Sequence, residues 1–387
     1  SGRKSGTESI TWATSAFERR SQNAVGKNNH STILKKAIQS VRMPIVPSER
    51  FDWIDTAKAA LIFLVVLGHF HYSFAPVPEK DIIYAFHVPA FLFITGFLLP
   101  KTFGQTGPRE LTQKWLGPYI RAYGLFSSLA LVIWWAGLSL KAGQIVSPRL
   151  GILGVLYGVG GQENFFQHQN QPLWYFPFLI VSLMGARGCA ALPPAAGWGL
   201  AAALAAFAAV YDGPRLPWSL DVGGMGVLAL FAGHRLRHNW GGLRCLFEPR
   251  PRAVTMLALG LTALAAISYL NGATNINGAS FGQSGLLYAL GMAAGFCTIL
   301  ALGMLVPAQR ILSTIAAETL TIFALHFYFV RAAGSFVPRP ESRLAQVIVM
   351  ILLTVMVIAI CLGLARLLQP LLDRVIFLRS RRAVRDI

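Results

Sequence analysis

Charge is scarce in this sequence: 13% of its 387 residues are Asp, Glu, Lys or Arg, against 54% hydrophobic. Its length would suit two or three soluble domains, but that balance excludes a soluble enzyme and fits a membrane protein. Acid is the scarcer sign, with 16 Asp and Glu against 34 Lys and Arg and a formal charge of +18. Nucleic acid is not indicated as a partner. The basic residues sit between apolar runs rather than on one soluble module with interleaved aromatics, and membrane topology explains them more simply. Cysteine is rare too. Cys189, Cys245, Cys297 and Cys361 have no paired spacing, which excludes a disulfide framework and a cysteine-based zinc site. No internal repeat is visible. The chain opens on Ser1, and its first fifty residues hold no cleavable apolar signal, so this start is expected to be a processed or trimmed end.

Long apolar runs are abundant from Phe51 almost to the C-terminus. A bilayer core of roughly 30 Å needs about 20 such residues per helix. The expected fold is all-α, a polytopic membrane helical bundle of about ten transmembrane helices. Six expected spans cover residues 52–74, 82–99, 118–138, 172–189, 195–211 and 217–233; four more cover 253–270, 284–306, 312–330 and 344–368. Leu150 to Val159 is too short to cross and rich in Gly, so it reads as re-entrant or interfacial. With the N-terminus inside, about 26 Lys and Arg fall on the inner side and about 7 on the outer, which makes both termini cytoplasmic. Three regions follow. Residues 1–50 are a basic cytoplasmic tail, 51–369 the transmembrane domain and 370–387 a second basic cytoplasmic tail. In the first tail Ile33, Leu34, Ala37, Ile38 and Val41 share a helical face beside Lys35 and Lys36, either a short helix on anionic lipid or a chance pattern in a disordered segment.

Ionisable side chains within lipid are costly and mark pathways or reaction centres. The first span, FDWIDTAKAALIFLVVLGHFHYSF, carries Asp52, Asp55 and Lys58 toward one end and His69 and His71 toward the other. Eleven residues separate Lys58 from His69, about 20° off three full turns and about 16 Å along the axis, so they share a face at different depths. Asp55, one turn before Lys58, can pair with it and support it. His71 points about 200° away from His69 and is not expected to take part. His87 lies roughly 8 Å inside the next span, at a depth similar to His69. His326 falls in the outer half of the ninth span, and Glu318 precedes it by eight residues on roughly the same face. His168 belongs to GQENFFQHQNQPLWYF, whose amides and aromatics suit sugar hydroxyls and sugar faces. Each histidine has a plain alternative as a hydrogen-bonded structural residue or interfacial anchor. No pair among these four has i, i+4 ligand spacing, so no metal is expected.

WIDTAKAALIFLVVLGH followed by FHVPAFLFITGF resembles the opening of the acyltransferase-3 family of integral membrane O-acyltransferases, in particular its fucose 4-O-acetylase-like branch. The family's Lys or Arg, ten residues, then His is met by Lys58 and His69. Its FHxP and SGF elements are met by Phe86, His87 and Pro89, and by Thr95, Gly96 and Phe97 with Thr in place of Ser. PLWYFPFLIVSL resembles the LWFL segment at Trp174, and TLTIFALHFYF the late NSLxIYLLH segment at His326. One departure stands out. Where the family often carries Arg-x-x-Arg, this chain reads RELTQKWLGPYIR, with Leu111 at the first place, Lys114 at the second, and Arg109 and Arg121 near enough to substitute.

The resemblance implies transfer of an acyl group, usually acetyl, from cytoplasmic acyl-CoA to a hydroxyl of an extracytoplasmic or lipid-linked carbohydrate, at the cell inner membrane. Acyl-CoA (acetyl-CoA first) is then a co-substrate, and the glycan or glycolipid acceptor and the bilayer are the other partners. Lys101, Arg109, Lys114 and Arg121 are suited to the CoA phosphates. Trp174, Tyr175 and His168 would shape the acceptor site. His69 would act as general base or as an acyl carrier, with His87 or His326 positioning or polarising, and Lys58 stabilising charge or only neutralising Asp55. A secondary transporter or exporter would use the same Lys, Asp and His groups as a relay, and a third reading is a membrane anchor for a partner.

Overall fold

The computed structural model describes residues 51–70, 79–160 and 171–376. The helical face expected in the N-terminal tail, His71, His168 and residues 377–387 lie outside them. Every named element is helical, and one isolated bridge, Asn275 with Ser280, is the β pairing among the described residues. In chain order the helices are α1 (Asp52–His69), α2 (Glu79–Tyr84), α3 (His87–Leu98), α4 (Pro108–Ala142), α5 (Arg149–Tyr157), α6 (Tyr175–Ala190) and α7 (Pro194–Val210). They continue with α8 (Leu220–His238), α9 (Arg250–Asn271), α10 (Gly285–Leu305), α11 (Arg310–Ala317), α12 (Thr319–Phe336) and α13 (Arg343–Val375). This is a multi-pass, all-α membrane bundle.

The sequence predicts about ten spans; among the described residues six helical stretches are long and apolar enough to cross, or seven if α11 and α12 count as one. The reasons are local. Helix α1 carries Asp52, Asp55 and Lys58, and α8 carries Asp221, Arg235 and Arg237, three ionic side chains each. Helix α7 has only 17 residues. As expected for the segment at 150–159, the nine residues of α5 reach only about 14 Å at 1.5 Å per residue, too little to cross. Helix α13 runs on to Val375, past the expected boundary at residue 370.

The expected ninth span is not straight. Helices α11 and α12 meet at Glu318 with a bend of 79°. No proline or glycine marks it. The Thr319 hydroxyl instead donates to the carbonyls of Ile315 (3.3 Å) and Ala316 (2.8 Å), terminating α11, and Thr321 Oγ1 donates to the Glu318 carboxylate at 3.3 Å.

Helix α1 is wrapped by α3, α10, α11, α12 and α13, and buries Trp53, Ala57, Leu61, Ile62, Val65 and Val66. Asp55, Lys58 and His69 are therefore partly enclosed by protein, which is where an intramembrane charge is tolerable, while Asp52 at the helix end is exposed. Thr56 Oγ1 donates to the Val306 carbonyl (3.0 Å) and Ser313 Oγ to Asp55 Oδ2 (2.8 Å), tying α1 to the segment after α10. Glycine permits a close crossing of α3 and α8. A Cβ on Gly96 of α3 would stand 2.0 Å from the Leu230 carbonyl oxygen, and one on Gly233 of α8 equally close to that of Phe93.

Candidate active site

Helix α1 presents Lys58 and His69 to two cavities that share walls. The larger, about 250 Å³, is lined by Lys58 together with Phe91, Thr95, Trp115, Tyr119, Tyr175 and Phe323, and is mostly apolar. The smaller, about 40 Å³, is lined by His69, Tyr84, His87, Trp174, Tyr175, Asn275, Asn277 and Phe323. Tyr175 and Phe323 belong to both, and their rings lie 4.9 Å apart. The shared face and different depths of Lys58 and His69, read from helix geometry, thus put them on either side of an aromatic partition.

His69 and His326 come together, with ring centroids 5.1 Å apart. His326 is fully buried, and its Nδ1 lies 3.1 Å from the Ile322 carbonyl and 2.8 Å from that of Phe323. A carbonyl can only accept, so Nδ1 carries the proton and Nε2 is the bare acceptor. That Nε2 is buried without a hydrogen-bond partner. His87 follows the same rule from another element. It opens α3 directly after the break at Ala85 and Phe86, its Nδ1 donates to the Ile83 carbonyl at 2.7 Å, and the Tyr84 ring sits 5.0 Å away. Both imidazoles are held in one tautomer by a backbone carbonyl one turn earlier, with Nε2 left for other chemistry.

Trp174 ends a short 3-10 turn (Gln171–Trp174) and packs on Phe178 at 5.2 Å, with Tyr175 opening α6 beside it. Glu318 stands at the N-cap of α12, at the bend, with the first two turns of that helix between it and His326. Asp55 accepts from Ser313 and lies one turn before Lys58.

The expected phosphate-binding cations differ in their surroundings. Lys101, Arg109 and Lys114 are exposed. Lys114 stands in a π-helical turn, Leu111–Leu116, pairs with Glu110 at 3.3 Å and lies 5.2 Å over the ring of Trp115, a wall of the larger cavity. Arg121 is engaged elsewhere: Nε and Nη2 donate to the Ile376 carbonyl at 2.9 and 2.7 Å, fastening α4 to the end of α13.

Two features escaped the sequence reading. His234 and His238 do have i, i+4 spacing; their rings are 4.6 Å apart, but among the described residues no group of three metal-ligating side chains forms. Asn275 and Asn277 stand in the cavity wall beside the histidines. Their signal was a run of Asn, Ser, Thr and Gly, GATNINGASFGQS, between two apolar helices.

No curated protein and no solved structure matches this chain. A family model does: that of the acyltransferase-3 family, described as an acyltransferase domain, matches residues 51–366, which takes in both cavities and all three clustered histidines. On that match, and on the helical bundle that carries it, this chain belongs to the acyltransferase-3 family of membrane acyltransferases.

Proposed function

We propose that the protein moves an acyl group, acetyl foremost, from cytoplasmic acyl-CoA to a hydroxyl of an extracytoplasmic or lipid-linked carbohydrate, as the fucose 4-O-acetylase-like resemblance implies. The single observation that carries this reading is the pair of cavities meeting at Tyr175 and Phe323, one with Lys58 and the other with His69 and His87. Donor and acceptor then approach from opposite faces of an inner-membrane enzyme whose termini are both cytoplasmic. The larger, apolar cavity suits the thin pantetheine arm and its thioester, with Lys114 and Trp115 near its wall and Lys101 and Arg109 offered to the phosphates. Trp174 and Tyr175, with His168, form the acceptor side.

His69 is the catalytic base. Its neutral imidazole takes the proton of the attacking hydroxyl as the oxygen bonds to the thioester carbonyl carbon. The C–S bond breaks, the proton passes to the departing sulfur, and the products are an ester and CoA thiol. His326, whose unspent Nε2 lies in the ring next to His69, positions it, and His87 polarises the acceptor hydroxyl. Lys58, in the donor cavity across the Tyr175 and Phe323 partition, offers positive charge to the entering acyl-CoA or only neutralises Asp55. Formation of an acyl-imidazole on His69 followed by transfer uses the same groups. Family membership does not favour the transporter alternative.

The test is His69→Ala in purified, reconstituted protein, followed by thiol release from acetyl-CoA and by mass spectrometry of the surface polysaccharide with and without the protein. The expected result is a folded variant without acyl transfer and loss of one acyl mass per glycan repeat. Acyl transfer retained by the variant overturns the reading.

A further inference from the structure

The connection between α9 and α10 is built to hold one shape. Asn271, the last residue of α9 and 2% exposed, bridges its two ends: Nδ2 donates to the Phe281 carbonyl and Oδ1 accepts from the Ser284 N–H, both at 2.8 Å. Between them Asn275 and Ser280 exchange two backbone hydrogen bonds of 2.8 and 3.0 Å, and Asn275 Oδ1 accepts from the Gly278 N–H at 3.2 Å. Gly282 takes φ +77 and lies so close to Asn271 that a Cβ would stand 2.4 Å from its carbonyl oxygen.

A second clamp arrives from elsewhere in the chain. Arg215 donates through Nη1 to the Asn277 carbonyl and through Nε to Asp221, which is 1% exposed. The turn joining Arg215 to Asp221 holds Trp218 and Ser219 at φ +59 and +58, a left-handed conformation that residues with a Cβ rarely adopt. It is retained because Trp218 Nε1 donates to the Leu156 carbonyl (3.0 Å) and Tyr157 OH to that of Arg215 (2.6 Å). So much fixing of a polar loop would be unremarkable if it left nothing over. It leaves the side-chain oxygen of Asn277 buried and without a hydrogen-bond partner, on a residue that lines the cavity of His69 and His87. An unmet buried acceptor of this kind is unfavourable, and a bound hydroxyl would relieve it.

We propose that Asn277 is a specificity-determining residue that recognises the acceptor through a hydroxyl neighbouring the one to be acylated, and that Arg215 and Asp221 are its positioning residues. An amide offers one acceptor and one donor edge, which matches a hydroxyl that both donates and accepts. The substrate class is a polyhydroxylated acceptor with adjacent free hydroxyls, and a deoxy analogue lacking the neighbour is disfavoured. This rests on the acyl-transfer reading above.

The experiment uses the full chain in nanodiscs with radiolabelled acetyl-CoA and a set of methyl hexopyranosides with their mono-deoxy analogues. Asn277→Ala is expected to raise the acceptor KM about tenfold with the acetyl-CoA KM within twofold, and to abolish the preference for the parent sugar over one deoxy analogue. Asn277→Asp, which keeps the oxygen, is expected to retain that preference and serves if the alanine variant fails to fold. Asp221→Asn is expected to raise the acceptor KM as well, and the double variant with Asn277→Ala to be no worse than Asn277→Ala alone. An unchanged acceptor KM and preference in Asn277→Ala, with wild-type transfer intact, overturns this inference and leaves the acyl-transfer reading standing. Additive losses in the double variant overturn the positioning role. Wild-type protein that transfers to none of the sugars and releases no CoA overturns both.

Discussion

His326 is buried to 0% exposure, spends its Nδ1 proton on two backbone carbonyls and keeps Nε2 unpartnered beside His69. Those carbonyls lie in helix α12, where the ordinary ladder of i to i−4 bonds already serves them, so removing the imidazole orphans little. His326→Leu separates packing from chemistry. We expect a thermal transition within a few degrees of wild type and CoA release reduced at least tenfold, measured by scanning fluorimetry and a thiol assay. Full activity in that variant would assign the residue to packing alone. His69, His87 and His326 were all legible in the sequence, since an imidazole in an apolar run is conspicuous. The similar depth of His69 and His87, 18 residues apart, was legible too; the meeting of His69 with His326 was not, because it joins helices 257 residues apart in the chain. Arg121 shows the converse: it looked like a phosphate ligand by proximity along the chain, and its partner proved to be a carbonyl 255 residues away.

At the scale of elements, contact between backbones decides which helices pair. Helices α3 and α8 cross where Gly96 and Gly233 each leave a carbonyl room, whereas Gly363 on α13 has nothing within 4 Å of its missing Cβ. Gly96→Ala is therefore expected to destabilise by about 2–3 kcal/mol or to prevent folding, and Gly363→Ala to leave stability unchanged or slightly raised. Detergent-solubilised yield and thermal aggregation read both; equal effects at the two sites would refute the close crossing. The same scale explains why the ninth span was misread. Glu318 alone interrupts the apolar run there, and one carboxylate within an apolar stretch does not announce a 79° bend, at which Thr319 and Thr321 hydroxyls serve the helix ends. The loop after α9 was overlooked for a related reason. Its amides read as an ordinary connection until Arg215, from a distant turn, fixed Asn277 against the cavity.

Across the whole molecule, the proposed two-sided reaction requires that the connection after α8 and the loop after α9 face opposite sides of the membrane. Cys245 is an exposed thiol in the first, and Ala273 is an exposed position in the second. In a version whose other cysteines are alanine, a membrane-impermeant maleimide added to intact cells is expected to leave Cys245 unlabelled until lysis. Ala273→Cys in a cysteine-free version is expected to react at once. Labelling of Cys245 from outside would invert the orientation and, with it, the side from which acyl-CoA must come.

Sequence alone determined the class of molecule. Apolar runs of bilayer length, a scarcity of charge and an ordered set of short motifs from Asp52 to His326 fix a helical membrane bundle and its family, because hydropathy and motif order are properties of the chain read in one dimension. Tertiary structure decided what those residues do for one another. The Lys58 cavity and the histidine cavity share Tyr175 and Phe323, His326 meets His69, and Asn277 joins them from a loop more than 200 residues after α1. Such meetings follow from helix packing and from buried hydrogen bonds between distant segments, and no local pattern encodes them.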